Sequence, residues 1–406
     1  MKIESLELTN VRTVKTAKFH FHPTTNLIVG VNGIGKTTVL DVLAYCLSAK
    51  TAFCNSSTDH PVMFDCKDIR KDESATFLLA KCEVNFSGQI RTISLQVQFS
   101  TETSLVSPGM QVRLDDNVGQ RELFEDYNLA VLFSINRSLA NERQPRERAA
   151  AAGIAAGFAG AHSKNPPDLR ESADWLLGLH APSKTPPSSA KTLNSLNMAI
   201  SRFLPNYAHI EAVANHAAPY LGIKRHGKLL PVTSLSGGEQ SILAIVLDLI
   251  RRLERTNPDL DDPAAEAEAV VLIDEVELHL HPAWQRQIVR KLTDTFPRCQ
   301  FIATTHSPQV IGEVEHECLH VMDEDGVHSP TCSYGVDSNR VLEEIMNTNP
   351  RTEAVEELLK KISDAIVRNQ YEDARSMLAK LSGYLGENDP EIARAETLMR
   401  FMTEDS

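Results

Sequence analysis

Apolar and polar positions alternate from the start of the chain. Leu6 and Leu8 flank a charged residue, and after a turn near Arg12 to Val14 the two-residue period returns at Ala17, Phe19 and Phe21. That period puts one face of an extended chain against a core, so both segments predict strands. Leu27-Ile28-Val29 is a short unbroken apolar run, the pattern of a strand buried on both faces, and a glycine-rich loop follows it at once. From Lys36 to Lys50 the period lengthens, with Leu40, Leu43 and Leu47 on one face of a predicted helix. Between 76 and 99 alternation resumes in two arms. Leu78, Ala80, Cys82, Val84 and Phe86 share one face, Ile93, Leu95, Val97 and Phe99 another, and Ser87-Gly88-Gln89 is the hairpin turn. Ala130 to Ile135 predicts a further buried strand, ending in Asn136-Arg137.

The pattern then loosens. Arg143, Arg146 and Arg148 lead into an Ala/Gly run, and the Pro/Ser/Lys-rich stretches 163 to 168 and 182 to 190 read as mobile loops. Leu193, Leu196, Ile200 and Phe203 mark a helix beyond them. Regular alternation of element types returns with a helix over Gln240 to Arg252, a strand over Val270 to Ile273 and a helix over Pro282 to Thr295. A strand over Gln300 to Thr304 and a short helix over Pro308 to Val314 follow. Such alternation implies a parallel sheet covered by helices. From Asp337 onward the period is helical, with one stripe at Val355, Leu358, Leu359, Ile362 and Ile366 and another at Ala374, Met377, Leu378, Leu381 and Leu385. The expected organisation is an α/β N-terminal lobe (1–140) with an antiparallel β subdomain, a helical insertion (141–230), a C-terminal lobe (231–336) and a helical tail for protein contacts (337–406).

Composition narrows the class of protein. A net charge of −13 argues against a chain coated in basic surface, though not against one local basic patch. The run from Ala149 to Ala161 is too short and too rich in Ala and Gly to cross a bilayer, and Met1 to Asn10 reads as a strand, not a secretory signal. The seven cysteines show neither CxxC spacing nor the density of a disulfide scaffold, so the expectation is free thiols in a reducing cytoplasm.

Gly30-Val-Asn32-Gly33-Ile-Gly35-Lys36-Thr37 fits the phosphate-loop pattern in full, with a strand before it and a helix after it. Bare glycine backbone lets N–H groups curl around phosphates at the positive end of the helix that begins here and includes Thr38. Lys36 offers a point charge to those phosphates, and the Thr37 hydroxyl suits magnesium. Val270-Val-Leu-Ile-Asp274-Glu275 ends an apolar strand in two carboxylates, one suited to a metal and the other to taking a proton from water. Such an acid pair also occurs in ordinary turns. Leu235-Ser236-Gly237-Gly238-Glu239-Gln240 precedes a predicted helix; Ser236 and Glu239 have the spacing of a capping box, and a capped N-terminus is itself a phosphate-binding device.

With these segments in this order, and with His306 just after the strand Phe301 to Thr304, the chain resembles the ABC-ATPase superfamily. The resemblance implies an ATP–Mg2+ site whose catalytic residues are Glu275 and His306, the histidine sensing the γ-phosphate. It also implies that Leu235 to Gln240 act as the signature contacting nucleotide held by an opposite head, in a homodimer or larger assembly. Asp274-Glu-Val-Glu-Leu-His279-Leu-His281-Pro and the opening Leu8-Thr-Asn-Val-Arg12 are similar to the SMC/RecF/OLD-like branch, which implies that Arg12 lies beside the base. His279 and His281 then read as a packed turn rather than a metal site.

Two other motifs compete. His316-Glu-Cys-Leu-His320 matches HExxH, but Cys318 to Met322 reads as a strand, which separates the two histidines. Val321-Met-Asp-Glu-Asp-Gly326 resembles a carboxylate metal cluster but reads better as a hairpin turn. The missing membrane segments argue against a transporter, and the lack of sustained heptads between Thr38 and Leu235 argues against a long-armed SMC protein.

Ser333-Tyr-Gly-Val-Asp337-Ser-Asn-Arg340, the paired helices and Gly386-Glu-Asn-Asp-Pro390 resemble the PtuA-type ATPases of Septu and certain retron antiphage systems. That resemblance implies a separate HNH nuclease partner of PtuB type, and a retron reverse transcriptase with its DNA. The alternative is a RecF-like ATP-gated DNA-binding protein in repair. A basic groove of Arg137, Arg143, Arg146, Arg148, Lys224, Arg225 and Lys228 would favour it, although these residues also read as ordinary solvated surface.

Overall fold

Residues 1–54, 64, 66–71, 77–86, 88–98, 110–114, 129–137, 154–167, 169–180, 187–214 and 219–404 are described by a computed structural model. Strand β1 (Lys2–Val11) turns at Arg12-Thr13 into antiparallel β2 (Val14–His20), and Ile3, Leu6, Leu8, Ala17 and Phe19 bury the shared face. β3 (Thr25–Gly30) is buried up to its final glycine and feeds the phosphate loop directly into α1 (Lys36–Cys54). The hairpin of β4 (Phe77–Phe86) and β5 (Gln89–Gln98), with β6 (Met110–Leu114), completes an antiparallel sheet in the order β2-β1-β4-β5-β6. Ser87 and Phe99 lie outside the described residues.

β7 (Leu129–Phe133) belongs to the second sheet. After it come α2 (Ala155–Phe158), α3 (Leu169–His180) and α4 (Pro187–Phe203). Part of the stretch 182 to 190 is therefore helical, because proline is tolerated in a first helical turn. The lobe expected to be a helical insertion with mobile stretches also holds a three-stranded antiparallel sheet of β8 (Tyr207–Val213), β9 (Tyr220–Arg225) and β10 (Lys228–Pro231). The β9–β10 turn, His226-Gly227, has positive φ at both residues (49° and 78°), the requirement of a tight hairpin matched to strand twist.

The C-terminal part of the head returns to the central sheet. α5 (Gly237–Thr256) and α6 (Pro263–Glu266) precede β11 (Ala269–Ile273) and α7 (Pro282–Thr295). β12 (Gln300–Thr304), α8 (Pro308–Ile311), β13 (Leu319–Met322), β14 (Val327–His328) and α9 (Ser338–Arg340) follow. The sheet order is β14-β13-β3-β12-β11-β7, parallel except for the edge strand β14. α1 packs between this sheet and the antiparallel one; Leu40 and Leu43 share one buried cluster with Leu272 and Ile302 of the central sheet and Leu78 and Leu95 of the antiparallel one. Each such leucine contributes about 1.5–3 kcal/mol of burial, which fixes the start of α1 over the strand ends.

The two competing motifs resolve as expected. His320 lies on β13, is 4% exposed, bonds Asn26 and packs against Phe19 and Phe21. Asp323 to Gly326 turn the β13–β14 hairpin, the Asp323 N–H donating to the Gly326 carbonyl. Cys46, Cys82, Cys299 and Cys318 are free and buried, and Cys332 is free and exposed; the side chains of Cys54 and Cys66 lie outside the described set. No helix among the described residues is long and apolar enough to cross a membrane.

Met1–Val341 form one compact unit and Leu342–Ser406 a second. The second comprises α10 (Glu353–Val367), α11 (Tyr371–Leu385) and α12 (Pro390–Glu404) around Ile362, Ile366, Ala374, Leu378, Leu381, Ile392 and Met399. Asp389 ties the α11–α12 turn to Arg351 through an ion pair of 3.2 Å.

Candidate functional site

Parallel strands emit their chemistry at one edge. β3, β12, β11 and β7 lie side by side, so the loops after their carboxyl ends meet: residues 30–37, 305–306, 274–275 and 134–137. Backbone bonds bind these loops together, with the Thr305 N–H donating to Ile28, Val276 to Thr304 and Asp274 to Phe133.

In the first loop Asn32, Gly33 and Thr37 are exposed, whereas Lys36 and Thr38 are each 6% exposed. Gly35 has φ +117°, and a Cβ there would come within 2.5 Å of Val14 Cγ2, so the β1–β2 turn leaves room only for glycine. Lys36 donates from Nζ to the carbonyls of Gly30 (2.8 Å) and Val31 (3.0 Å). Burial pulls its ammonium down to about 8, against the opposing pull of Asp274, Glu275 and Glu277. A nearby anion would restore the charge.

Asp274 is 6% exposed and accepts from the hydroxyls of Thr37 (3.1 Å) and Thr304 (2.6 Å). A loop hydroxyl touching a buried carboxylate is a donor set that suits magnesium, which takes few protein ligands and leaves the rest to water and phosphate. Among the described residues there is no cluster of three or more His, Cys, Asp or Glu able to hold a metal by themselves.

Glu275 adopts φ +49°, a left-handed conformation that costs a non-glycine residue about 1–2 kcal/mol. Its N–H donates to Thr304 Oγ1 at 2.7 Å and its carbonyl accepts from the Arg137 guanidinium. The His306 N–H donates to Glu277 Oε1, whose sister oxygen is buried without a hydrogen-bond partner among the described residues. Burial and the Lys36 charge lower the His306 imidazole below its usual range, with Glu277, Glu275 and Asp274 pulling the other way.

Two arginines are held by partners that the sequence did not indicate. Arg12, expected beside a base, gives its guanidinium to Asp41 on α1 (2.7 Å) and Asp68 (2.7 Å) and lies over the Phe64 ring. Lys164 reaches the same buried Asp41 at 2.7 Å. Arg137, grouped with a surface groove, is 1% exposed, because β7 runs directly beside β11 and turns it inward. Burial pulls it down to about 10 despite Glu277, Asp274 and Glu275. Of the other groove residues, Lys224 pairs with Glu211 and Arg225 lies over Tyr207; Arg143, Arg146 and Arg148 fall outside the described residues. Sequence carried no sign of the burial of Arg137 beyond its place after a buried strand.

The Ser-Gly-Gly segment lies at the N-terminus of α5. Leu235 is buried, Ser236 and Gly237 are exposed, and the Gln240 amide holds the Leu235 carbonyl at 2.9 Å. Ser236 caps the helix. Its N–H and hydroxyl both donate to Glu239 Oε2 (2.8 Å each), and the Glu239 N–H returns to Ser236 Oγ. Against the cost of burial, these bonds and one from the Tyr207 hydroxyl hold the Glu239 carboxyl low. A Cβ on Gly238 would fall 2.5 Å from the His279 carbonyl, so the segment seats on the turn after β11 only because it is bare. His281 caps α7 through Nδ1, accepting from the Ala283 N–H, and both His279 and His281 are exposed.

Residues 2–329 match the family model described as RecF/RecN/SMC N terminal domain. The chain is 34% identical over 206 residues to a retron Ec83 probable ATPase of Escherichia coli, covering 50% of this chain and 38% of that protein. It is 24% identical over 314 residues to a Septu protein PtuA of Bacillus thuringiensis, covering 76% and 72%. The match thus spans less than half the length of the retron relative, and the PtuA-type resemblance read from the sequence is borne out. The crystal structure of an SMC head bound to the C-winged helix domain of ScpA superposes with a TM-score of 0.52 at 15% identity, over 81% of this chain and 98% of that one, a likeness of fold. Loop order, sheet order and family match agree: the chain belongs to the RecF/RecN/SMC N-terminal domain family.

Proposed function

We propose that this chain is an ATP-hydrolysing head that closes on a second copy around ATP, and that the closed assembly governs a separate HNH nuclease of PtuB type in antiphage defence. The observation that carries the ATPase reading is the meeting of Lys36, Thr37, Asp274, Glu275 and His306 at adjacent strand ends. Lys36 and the loop N–H groups of Gly30 to Thr38 hold the phosphates. Thr37 and Asp274 would hold magnesium, which would polarise the phosphates. Glu275 takes a proton from the attacking water and His306 stays near the γ-phosphate. Arg12 serves the site from behind, steadying α1 through Asp41.

The exposed Ser236 and Gly237 support closure on a second head: they lie at a helix N-terminus able to take phosphate, while Glu239 behind them accepts from Ser236 and Tyr207 and Gln240 holds the Leu235 carbonyl. The names of the relatives support the defence setting, and the helical tail is the part assigned to protein contacts, with a retron reverse transcriptase and its DNA as further candidates.

The test has two arms. Hydrolysis by the purified chain should rise faster than linearly with protein concentration; a rate per head that is constant across the dimerisation range would overturn the paired-head reading. Affinity purification of the tagged chain from its native neighbourhood should return an HNH nuclease in fixed ratio. Recovery of a bare dimer that binds DNA ends or gaps only with ATP would replace the nuclease reading with that of a repair clamp.

A further inference from the structure

Arg137 is a cation taken almost wholly out of water, and its partners are informative. Nε donates to the Ser241 hydroxyl at 2.7 Å, Nη1 to the carbonyls of Asp274 and Ser134, and Nη2 to the carbonyl of Glu275. A guanidinium presents its donors in a fixed planar fork, so acceptors bound to it are held in one relative arrangement. Two of those acceptors belong to the turn on which Glu275 takes a left-handed φ of +49°. An unfavourable backbone conformation persists only where its surroundings over-determine it. Here Thr304 holds the amide of Glu275 and Arg137 holds its carbonyl. The fourth partner, Ser241, lies on α5, the helix whose N-terminus is the Ser236–Gly238 segment, and it is 3% exposed.

We propose that Arg137 is a positioning residue that fixes the backbone of Glu275 and, through Ser241, ties that geometry to the helix bearing the signature segment. Movement of α5 as Ser236 and Gly237 seat on nucleotide held by a facing head is then felt at the Glu275 of their own head, which couples the two ATP sites of a pair. The inference rests on the proposed roles of Glu275 and the signature segment. It adds a residue that acts through the backbone of Glu275 and is itself 1% exposed.

The experiment uses the full chain and measures hydrolysis against ATP concentration, with ATP affinity determined separately using a fluorescent nucleotide. Arg137→Met should lower kcat by about tenfold or more while affinity stays within about twofold, since only the positioning of the base is lost. Arg137→Lys, which keeps the charge but not the fork, should fall between Arg137→Met and the parent. Guanidinium ion added to Arg137→Ala should restore part of the rate, a recovery that a merely folded-state role would not give. Ser241→Ala should lower kcat by about threefold and flatten any sigmoidal dependence on ATP.

An unchanged kcat in Arg137→Met, or an affinity that falls in step with kcat, overturns the inference. If Arg137→Met does not fold, Ser241→Ala decides alone, and an unchanged rate with unchanged cooperativity sinks it. A parent chain without ATP hydrolysis overturns the proposed function as well, whereas an active parent with indifferent variants overturns only the coupling.

Discussion

The two glycine-rich helix starts of the head, 30–37 before α1 and 235–240 before α5, are made of similar material and set in different surroundings. In the first, the cation is buried, turned onto carbonyls of its own loop and surrounded by the carboxylates of neighbouring strands. In the second, Ser236 and Gly237 face outward, and the charge present is an acid, Glu239, within its own capping box. On the proposed reading the first loop supplies the cation and N–H groups that hold phosphate. In the second, the Ser236 N–H and hydroxyl are engaged by Glu239, and on the proposed reading its ligand arrives on another molecule. Similar glycine patterns therefore do not imply similar duties; burial and the sign of the nearest charge separate them.

The largest expected effect sharpens the contrast. Glu275→Gln should reduce hydrolysis by about a thousandfold while leaving ATP bound and the pair of heads closed, as light scattering with ATP would register. Parental turnover in that variant would remove Glu275 from its role. Ser236→Arg should cut hydrolysis by about a hundredfold, with nucleotide affinity of the single head changed by less than about twofold; equal loss of affinity would erase the difference between the two loops. Lys36→Ala should do the reverse and weaken ATP binding by about ten- to a hundredfold, the worth of a charge-assisted contact, in direct titration.

The smallest effect concerns protons. Because burial holds Lys36 at about 8, a share of it is neutral at that pH before nucleotide binds, and bound phosphate favours the charged form. Binding at pH 8 should therefore take up roughly half a proton, falling toward zero at pH 7, where Lys36 is already charged. Calorimetry in buffers of different ionisation heat would measure this, and the uptake should vanish in Lys36→Ala.

Much of the head was legible where its signals are local. The helix over Pro282 to Thr295 and the strand over Gln300 to Thr304 have the bounds read from the sequence, since a proline start and an unbroken apolar run need no tertiary context. The sheet of β8 to β10 was not. His209 has φ +47° and breaks the pairing register between Ala208 and Ile210, which hides the two-residue period that would have marked a strand. The His226-Gly227 pair was the available clue. Arg137 was read as surface because an arginine carries no local sign of burial; only the neighbouring strand β11 turns it inward. Arg12 was placed by resemblance, whereas its partner Asp41 appears only once α1 is folded against the β1–β2 turn.

The capping box on α5 has a consequence for what this end of the helix tolerates. An anion approaching Ser236 meets Glu239 already accepting from both the serine N–H and its hydroxyl, with Tyr207 bracing the far oxygen of the carboxylate. A weakly charged or poorly placed anion gains little there, because repulsion from the resident carboxylate offsets the helix dipole. Only a ligand dense in negative charge and delivered in fixed orientation can reorient that hydroxyl. If the segment takes nucleotide from a second head, as proposed, it is expected to discriminate against weakly charged free anions such as chloride.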